Sequence, residues 1–277
     1  MTGPFFTKQR YLWQPDAWRL LRERACAEYA RKAVPSFVAG VHIRFPETRV
    51  GLGPRVTVTT SVLEGQSLLA MLYDPAQQSL ALDMGLAALE AWQRAGIAGH
   101  PFPVFSLIFR LVKGPRALFL ARRRPAPLAS DQRRELARLV ARYMRGETGG
   151  RCLVHGDLHA SHLLVDLPQS SLGFLDLEAM HTGKVATNFA QLWVGFHYAA
   201  PELGRALYRS YRLRFPAVMT AQFDNDVRTE LAIRCLAHIR SGLRTGNHEL
   251  ATLASALLAA VLAGTTFETL CLENTTQ

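Results

Sequence analysis

The chain has little lysine, few cysteines and no long hydrophobic run. Lysine occurs only four times, although lysine and arginine together number 32 against 22 acidic residues, so arginine carries almost all of the net charge of +10. A basic balance suits an anionic partner, such as a nucleotide phosphate, a nucleic acid or an acidic membrane surface. Nucleic acid is the least favoured of these, because the basic residues show neither aromatic interleaving nor a recognised binding motif.

The cysteines exclude two kinds of small stabilised scaffold. They are widely spaced and form no Cys-x-x-Cys pair, so neither a zinc knuckle nor a disulfide framework is indicated. The four are Cys26, Cys152, Cys235 and Cys271. We expect buried, reduced thiols and therefore a reducing compartment. The N-terminal residues lack the apolar stretch of a signal peptide, and the most apolar segment, 250–262, is too short to span a bilayer, so we expect a cytoplasmic protein.

The order of the predicted elements indicates a small strand-containing lobe followed by a large helical one. Strands are predicted at 5–8, 37–43 and 55–63, with a helix at 16–33 after the first strand. Helical patterns dominate from residue 64 onward, and the predicted helices are 67–73, 80–95, 131–145, 185–197, 202–214, 225–243 and 248–262. We therefore predict an α+β fold with lobes at 1–63 and 64–277, the second of which contains a hairpin at 153–178.

That hairpin carries the most informative residues of the chain. The runs His-Gly-Asp-Leu-His (155–159) and Phe-Leu-Asp-Leu-Glu (174–178) each place an aspartate after an apolar, strand-like segment. In phosphoryl transfer one carboxylate orients the acceptor hydroxyl, while another holds the metal bound to the nucleotide phosphates. Two aspartates at the ends of adjacent strands, Asp157 and Asp176, can fill both roles.

These two runs resemble the protein-kinase-like superfamily, in which aminoglycoside and choline phosphotransferases carry a similar His-Gly-Asp-Leu-His stretch. Those families usually place asparagine five residues after the aspartate, whereas this chain has His162. With Gly-Phe-Leu-Asp-Leu-Glu at 173–178, the histidine gives a closer resemblance to the bacterial lipopolysaccharide kinase family (the InaA and WaaP group). The resemblance is specific over 153–192 and implies a two-lobed, protein-kinase-like fold with a reduced N-terminal lobe.

The resemblance also implies roles for individual residues. Asp157 takes the role of the catalytic-loop aspartate, and Asp176 that of the metal-binding aspartate. Lys8 corresponds to the lysine that contacts the nucleotide phosphates, and an acidic residue of the next helix should pair with it. Glu23 fits that position best, with Glu28 as the alternative.

Further residues complete the predicted site. The hinge whose backbone contacts adenine is expected at 60–64, including Thr60, Val62 and Glu64. His155 is expected to fix the catalytic loop, beside a sharp bend at Gly156. Glu178 stands where the usual motif has glycine, and could either add a carboxylate near the metal or cap the next segment.

His162 and the short N-terminus are the two other departures from the family pattern. His162 is a candidate metal residue together with Asp176, but neutral imidazole suits softer metals than Mg²⁺, so His162 could instead contact phosphate or organise the loop. Only seven residues precede Lys8, which leaves no room for the strand pair that normally covers the phosphates.

The predicted activity is therefore ATP- and Mg²⁺-dependent phosphorylation of a hydroxyl group on a sugar or glycolipid, most plausibly the lipopolysaccharide core. A soluble kinase of the aminoglycoside or choline type and a catalytically impaired scaffolding or stress-response protein are the alternatives. By resemblance, the enzyme would work peripherally at the inner membrane. Arg122, Arg123 and Arg124 could meet an anionic head group, although a solvated basic loop is the preferred interpretation.

Overall fold

The structure is a computed structural model that describes residues 5–11, 15–53, 55–101, 112, 115–122, 128–145, 151–264 and 266–272. The chain is divided into two compact units, and each combines two separate stretches of sequence. The first contains 1–103 and 152–183, and the second contains 104–151 and 184–277. The first holds nearly all the strands and the second is helical, which confirms the predicted α+β class.

A three-stranded antiparallel sheet begins the first unit. Its strands are β1 (Phe5–Tyr11), β4 (Thr48–Leu52) and β5 (Arg55–Ser61), in the order β1-β5-β4. Side chains of β5 alternate between the two faces, because successive residues of a strand point in opposite directions. Its buried valines, at 56 and 58, pack against the apolar face of helix α1 (Pro15–Ala33). The helix is thereby fixed against the strand that pairs with β1.

A five-stranded sheet follows in the same unit, in the order β2-β3-β9-β8-β6. The strands are β2 (Phe37–Val38), β3 (Val41–Arg44), β6 (Gln66–Ser67), β8 (Leu163–Asp166) and β9 (Ser171–Phe174). The single strand predicted at 37–43 was wrong. Ala39 and Gly40 have φ angles of 54° and 82°, which is the left-handed backbone of a tight two-residue hairpin turn, so the segment forms two short strands.

Helices α2 (Leu68–Leu72) and α3 (Gln78–Arg94) complete the core of the first unit. Trp92 of α3 is fully buried and meets Phe174 of β9 edge to face, with ring centroids 5.6 Å apart. Phe45 stacks on Phe174 at 5.4 Å. This aromatic cluster supports the end of β9 from which the second acidic motif begins.

The strands that lead into the two acidic motifs are not neighbours, contrary to the prediction. Strand β7 (Arg151–Val154) pairs with β10 (His181–Lys184) in a separate two-stranded sheet, whereas β9 pairs with β8 and β3. The polar hairpin between Asp166 and Ser171 is confirmed, because these two residues are paired in the β8–β9 register. The two aspartates therefore approach each other from different sheets.

The second unit is built from helices around an aromatic centre. The helices whose two ends fall in the described part of this unit include α4 (Ser130–Arg145), α5 (Val185–Ala199), α6 (Pro201–Arg214), α7 (Ala221–Thr245), α8 (His248–Leu262) and α9 (Phe267–Leu272). Phe189 of α5 is fully buried and contacts the rings of Tyr211, Phe223 and Phe267. Across the described ranges of the chain, no helix is both long enough and apolar enough to cross a bilayer.

Candidate active site

Lys8 and Glu23 form an ion pair within the first unit. Lys8 lies in the middle of β1, opposite Val58 of β5, and its Nζ atom is 3.0 Å from Oε2 of Glu23 on α1. The Glu23 side chain is only 12% exposed, whereas that of Lys8 is 44% exposed and remains accessible to a ligand. Glu28, the alternative partner, instead accepts a hydrogen bond from Arg24 at 2.8 Å.

The loop that carries Asp157 begins where β7 ends. Gly156 has a φ of 90°, as the predicted sharp bend requires, and a Cβ atom at this position would collide with the carbonyl group of Ala179. Only glycine permits this approach without strain. The contact brings the Asp157 loop against the 3₁₀ turn Leu177–Ala179, which directly follows Asp176.

His155 is fully buried beneath this loop. Its ring meets Trp92 edge to face at 5.2 Å, and its Nδ1 atom accepts a hydrogen bond from the backbone N–H of Asp157 at 3.4 Å. Burial, reinforced by the neighbouring His162, lowers the pKa of His155 to about 3. A permanently neutral, buried imidazole supports the loop and has no exposed surface from which to act on a substrate.

Asp176 follows β9 by two residues and has the left-handed backbone conformation, with φ 56° and ψ 60°. A non-glycine residue adopts this conformation only where the surroundings impose it, and such positions cluster at functional sites. The backbone N–H of Leu175 donates to the carbonyl oxygen of His162 at 2.9 Å, so the two motif segments are joined next to Asp176.

Asp157, His162 and Asp176 converge in one cluster. Each offers a ligand atom, and these atoms all lie within 4.8 Å of one another. The Nε2 atom of His162 is 3.8 Å from Oδ2 of Asp176, and its Nδ1 atom is 3.8 Å from Oδ2 of Asp157. Both carboxylates are more than two fifths exposed. Among the described residues this is the only group of three or more such side chains close enough to hold a metal ion.

The donor set fits a divalent cation. Two ligand atoms that bind one ion at roughly 2.1 Å can be no more than about 4.2 Å apart, and the 3.8 Å between His162 and Asp176 lies within that limit. The carboxylate oxygens suit Mg²⁺, which prefers oxygen ligands. The geometry therefore offers two of the groups that phosphoryl transfer requires: an accessible carboxylate and a cation site beside it.

Comparison with protein families identifies the chain. Residues 14–221 match the phosphotransferase enzyme family (APH), which is well over half of the chain. The chain belongs to this family. Membership makes it a phosphotransferase and confirms the broader part of the predicted resemblance. The match does not identify a subfamily, so the closer resemblance to lipopolysaccharide kinases stays a prediction. A comparison with curated protein sequences gave no significant match.

Solved structures similar to this phosphotransferase include several aminoglycoside kinases. The apo form of a thermostable mutant of APH(4)-Ia has a TM-score of 0.63 at 14% identity, over 94% of this chain and 88% of that one. The GDP complex of aminoglycoside 2'-phosphotransferase-IIIa has 0.55 at 18%, over 88% and 83%. APH(3'')-Id from Streptomyces rimosus, with ADP and streptomycin, has 0.56 at 18%, over 84% and 86%. At these low identities, the TM-scores show a shared fold and nothing more.

Glu178 of the phosphotransferase lies beside Asp176 in the 3₁₀ turn. Burial raises the pKa of its carboxyl group, and the negative charge of Asp176 contributes in the same direction. The charges of Glu23 and Lys8 also act on this carboxyl group, although more weakly. Glu178 is not a member of the three-residue cluster of Asp157, His162 and Asp176.

The predicted hinge residues occupy two kinds of position. Thr60 is buried in the central strand β5, where it pairs with Phe6 on one side and Thr48 on the other. Val62 and Glu64 are exposed and lie in the connection between β5 and β6, outside any regular element. Thr60 is therefore shielded from solvent, whereas Val62 and Glu64 are not. Adenine contact by these residues remains a prediction.

No sequence pattern pointed to Arg22, which precedes Glu23 on α1. Its Nη2 atom donates to the carbonyl oxygen of Met180 at 3.2 Å, just after the turn that follows Asp176. Neighbouring positions of one helix, Arg22 and Glu23, therefore contact the segment next to the cluster and Lys8, respectively. Only the long-range packing of α1 reveals this, because nothing in the local sequence distinguishes Arg22 from other helical arginines.

Lys184, just before α5, forms an ion pair with Asp226 of α7, with Nζ 2.5 Å from Oδ1. Both side chains are largely buried, so this lysine serves the packing of the second unit. Arg122 is exposed, and Arg123 and Arg124 lie outside the described residues.

Proposed function

We propose that this phosphotransferase is a kinase that transfers the γ-phosphoryl group of ATP to a hydroxyl group of a neutral or anionic sugar. The cluster of Asp157, His162 and Asp176, together with the Lys8–Glu23 ion pair, is the observation that carries the proposal. Phosphoryl transfer depends mainly on positioning and on electrostatic stabilisation of the phosphates, and this arrangement offers groups for both.

Asp157 would act on the acceptor. Its carboxylate is 43% exposed, so a substrate hydroxyl group can reach it, and its main chain is held on two sides. The backbone N–H donates to His155, and the backbone carbonyl accepts from the Nδ1 side of His162 at 2.9 Å. A carboxylate fixed in this way aligns the hydroxyl group and accepts its proton as the new bond forms.

Asp176 and His162 would hold the cation, and Lys8 would contact the nucleotide phosphates. When bound, the cation would neutralise part of the phosphate charge. Glu23 keeps the Lys8 ammonium group at a fixed position. The impaired-kinase alternative requires that the nucleotide site has been lost, and the presence of this ion pair argues against such a loss. The exposed segment with Val62 and Glu64, which follows Thr60, would take the adenine ring through its backbone.

The charge of the chain favours a particular class of acceptor. With a net charge of +10, the protein repels polycationic molecules and attracts anionic ones, whereas its charge gives no preference for or against a neutral sugar. The lipopolysaccharide core, an anionic sugar at the inner membrane, is one acceptor of this class. The sequence around His162 supports that choice. The similar solved structures with hygromycin B or streptomycin favour a small soluble acceptor.

Transfer of radiolabelled phosphate from ATP to a panel of acceptors tests the proposal. The panel should contain dephosphorylated core oligosaccharide, free neutral sugars, sugar acids, choline and an aminoglycoside. We expect labelling of a neutral or anionic sugar, and loss of labelling in Asp157→Asn. Asp83→Asn is the matched control, because Asp83 is an exposed aspartate of α3 outside the cluster. Labelling of only the cationic acceptors would overturn the acceptor assignment, and no labelling would overturn the kinase assignment.

A further inference from the structure

We propose that His162 gives this phosphotransferase a nitrogen-ligated cation site that selects Mn²⁺ or Co²⁺ over Mg²⁺. The inference rests on the proposed function, since it concerns the cation held by the same cluster. It assigns to the site a metal class that differs from the all-oxygen set normally used for nucleotide phosphates.

The hydrogen bond made by His162 defines which ring nitrogen is available. Its Nδ1 atom lies 2.9 Å from the backbone carbonyl oxygen of Asp157. A carbonyl oxygen can only accept, so Nδ1 carries the proton and donates it. In the neutral ring Nε2 is then unprotonated, with its lone pair available as a ligand. Metal-binding histidines commonly hold their second ring nitrogen in this way, because a bond to a backbone carbonyl fixes both the tautomer and the ring orientation.

The Nε2 atom of His162 is the ring nitrogen that faces Asp176. This atom, rather than Nδ1, is the one that lies 3.8 Å from Oδ2 of Asp176. The ring is only 25% exposed and is packed near other rings: His155 lies parallel to it at 6.5 Å and His159 lies across it at 6.2 Å. A ring held on several sides keeps its lone pair directed toward the carboxylate, so the two donor atoms can share one ion.

The donor atoms of the site predict which metal ion it binds more tightly. Mg²⁺ gives up its water molecules reluctantly and prefers oxygen ligands. Imidazole suits first-row transition metals, and their affinity for such sites rises from Mn²⁺ to Co²⁺. Replacing an amide oxygen with an imidazole nitrogen therefore stabilises these metals more than it stabilises Mg²⁺. Asp176 still supplies a carboxylate oxygen, so the ion keeps an oxygen ligand beside the imidazole nitrogen.

Metal binding to the protein alone, without nucleotide or acceptor, is the direct test. The dissociation constant for Mn²⁺ is measured from the electron paramagnetic resonance signal of the free ion, and that for Mg²⁺ by competition. In His162→Asn, which restores an amide oxygen, we expect the ratio of the Mg²⁺ to the Mn²⁺ dissociation constant to fall by about tenfold or more. His42→Asn is the matched control, because His42 is an exposed histidine of β3 away from the cluster, and should keep the wild-type ratio.

A spectroscopic measurement on the wild-type protein keeps the inference testable if His162→Asn does not fold. Bound Co²⁺ should shift one imidazole N–H proton resonance far from the normal range, and that signal should disappear in D₂O. Its absence, or an unchanged metal ratio in folded His162→Asn, would overturn the inference. Failure of the proposed function is distinct: histidine-dependent Mn²⁺ binding would then be present without phosphate transfer to any acceptor.

Discussion

Replacing Gly156 with alanine should move the loop that carries Asp157 away from the turn that follows Asp176. The substitution has two physical consequences. A left-handed backbone is unfavourable for a residue with a side chain, by about 1–2 kcal/mol. The added Cβ atom also collides with the carbonyl group of Ala179, whose oxygen already accepts a hydrogen bond from Nδ1 of His181 at 2.8 Å. Since this contact is between backbone atoms, one of the two loops must move.

The collision adds strain of about 1–3 kcal/mol to the backbone term, so we expect Gly156→Ala to lower the free energy of unfolding by about 2–5 kcal/mol. Displacing catalytic groups by about 1 Å can reduce a rate by roughly a hundredfold. We therefore also expect kcat to fall by about a hundredfold or more, because Asp157 and Asp176 are no longer held together.

Denaturant-induced unfolding measures the stability change, and steady-state phosphate transfer measures the activity. Gly99→Ala is the informative control, because Gly99 also has a positive φ, 72°, but a Cβ atom there meets no other atom within 4 Å. It should lose only the backbone term, about 1–2 kcal/mol, and keep its activity. If Gly156→Ala matches Gly99→Ala in both stability and rate, the reasoning about the loop contact is refuted.

Three further predictions follow from individual contacts. Glu23→Gln should raise the KM for ATP by about tenfold, because Lys8 loses its charged partner. Glu28→Gln, measured in the same kinetic assay, should leave the KM for ATP unchanged. Lys184→Met should lower the free energy of unfolding, measured in urea, by about 3–5 kcal/mol, because Asp226 stays buried without its cation. Adding Asp226→Asn to this variant should recover part of the lost stability. If Lys184→Met alone is as stable as the wild type, this account is contradicted. Burial lowers the pKa of His197 to about 4, aided by the charge of Arg205, so the folded state excludes a proton that the unfolded state binds below about pH 6.5. After allowance for solvent screening, stability should fall by about 1–2 kcal/mol between pH 6.5 and 4, and unfolding curves of His197→Gln across that range should show a smaller decline.

The helices were the most predictable part of the fold, because each depends on a local period. The helix predicted at 248–262 has those bounds in the structure, with Asn247 capping its first turn through a hydrogen bond to the backbone of Leu250. The pairing of Lys8 with Glu23 was anticipated only through the resemblance to kinase-like proteins, which implies that an acidic residue of the helix after the first strand meets the lysine; the structure contains that ion pair. The assignment of these two residues to nucleotide binding stays a prediction.

Long-range pairing was not predictable from the local sequence. Strands β6 and β10 have two and four residues, and are held by their partners more than by their own propensity. The approach of the two acidic motifs depends on Gly156 meeting Ala179, and the contact from Arg22 to Met180 joins positions 158 residues apart. Periodicity and motif spacing carry no information about such contacts, so the cluster could be anticipated while the packing that forms it could not.

The most direct test of the central claim is single-turnover transfer of the γ-phosphoryl group by the wild-type protein, Asp157→Asn and Asp83→Asn, with nucleotide binding measured separately. If Asp157 orients the acceptor hydroxyl group and takes its proton, Asp157→Asn should bind ATP with unchanged affinity and transfer phosphate about 10²–10⁴ times more slowly. Asp83→Asn should match the wild type in both measurements. Transfer by Asp157→Asn at the wild-type rate would contradict the assignment of this site as the catalytic centre.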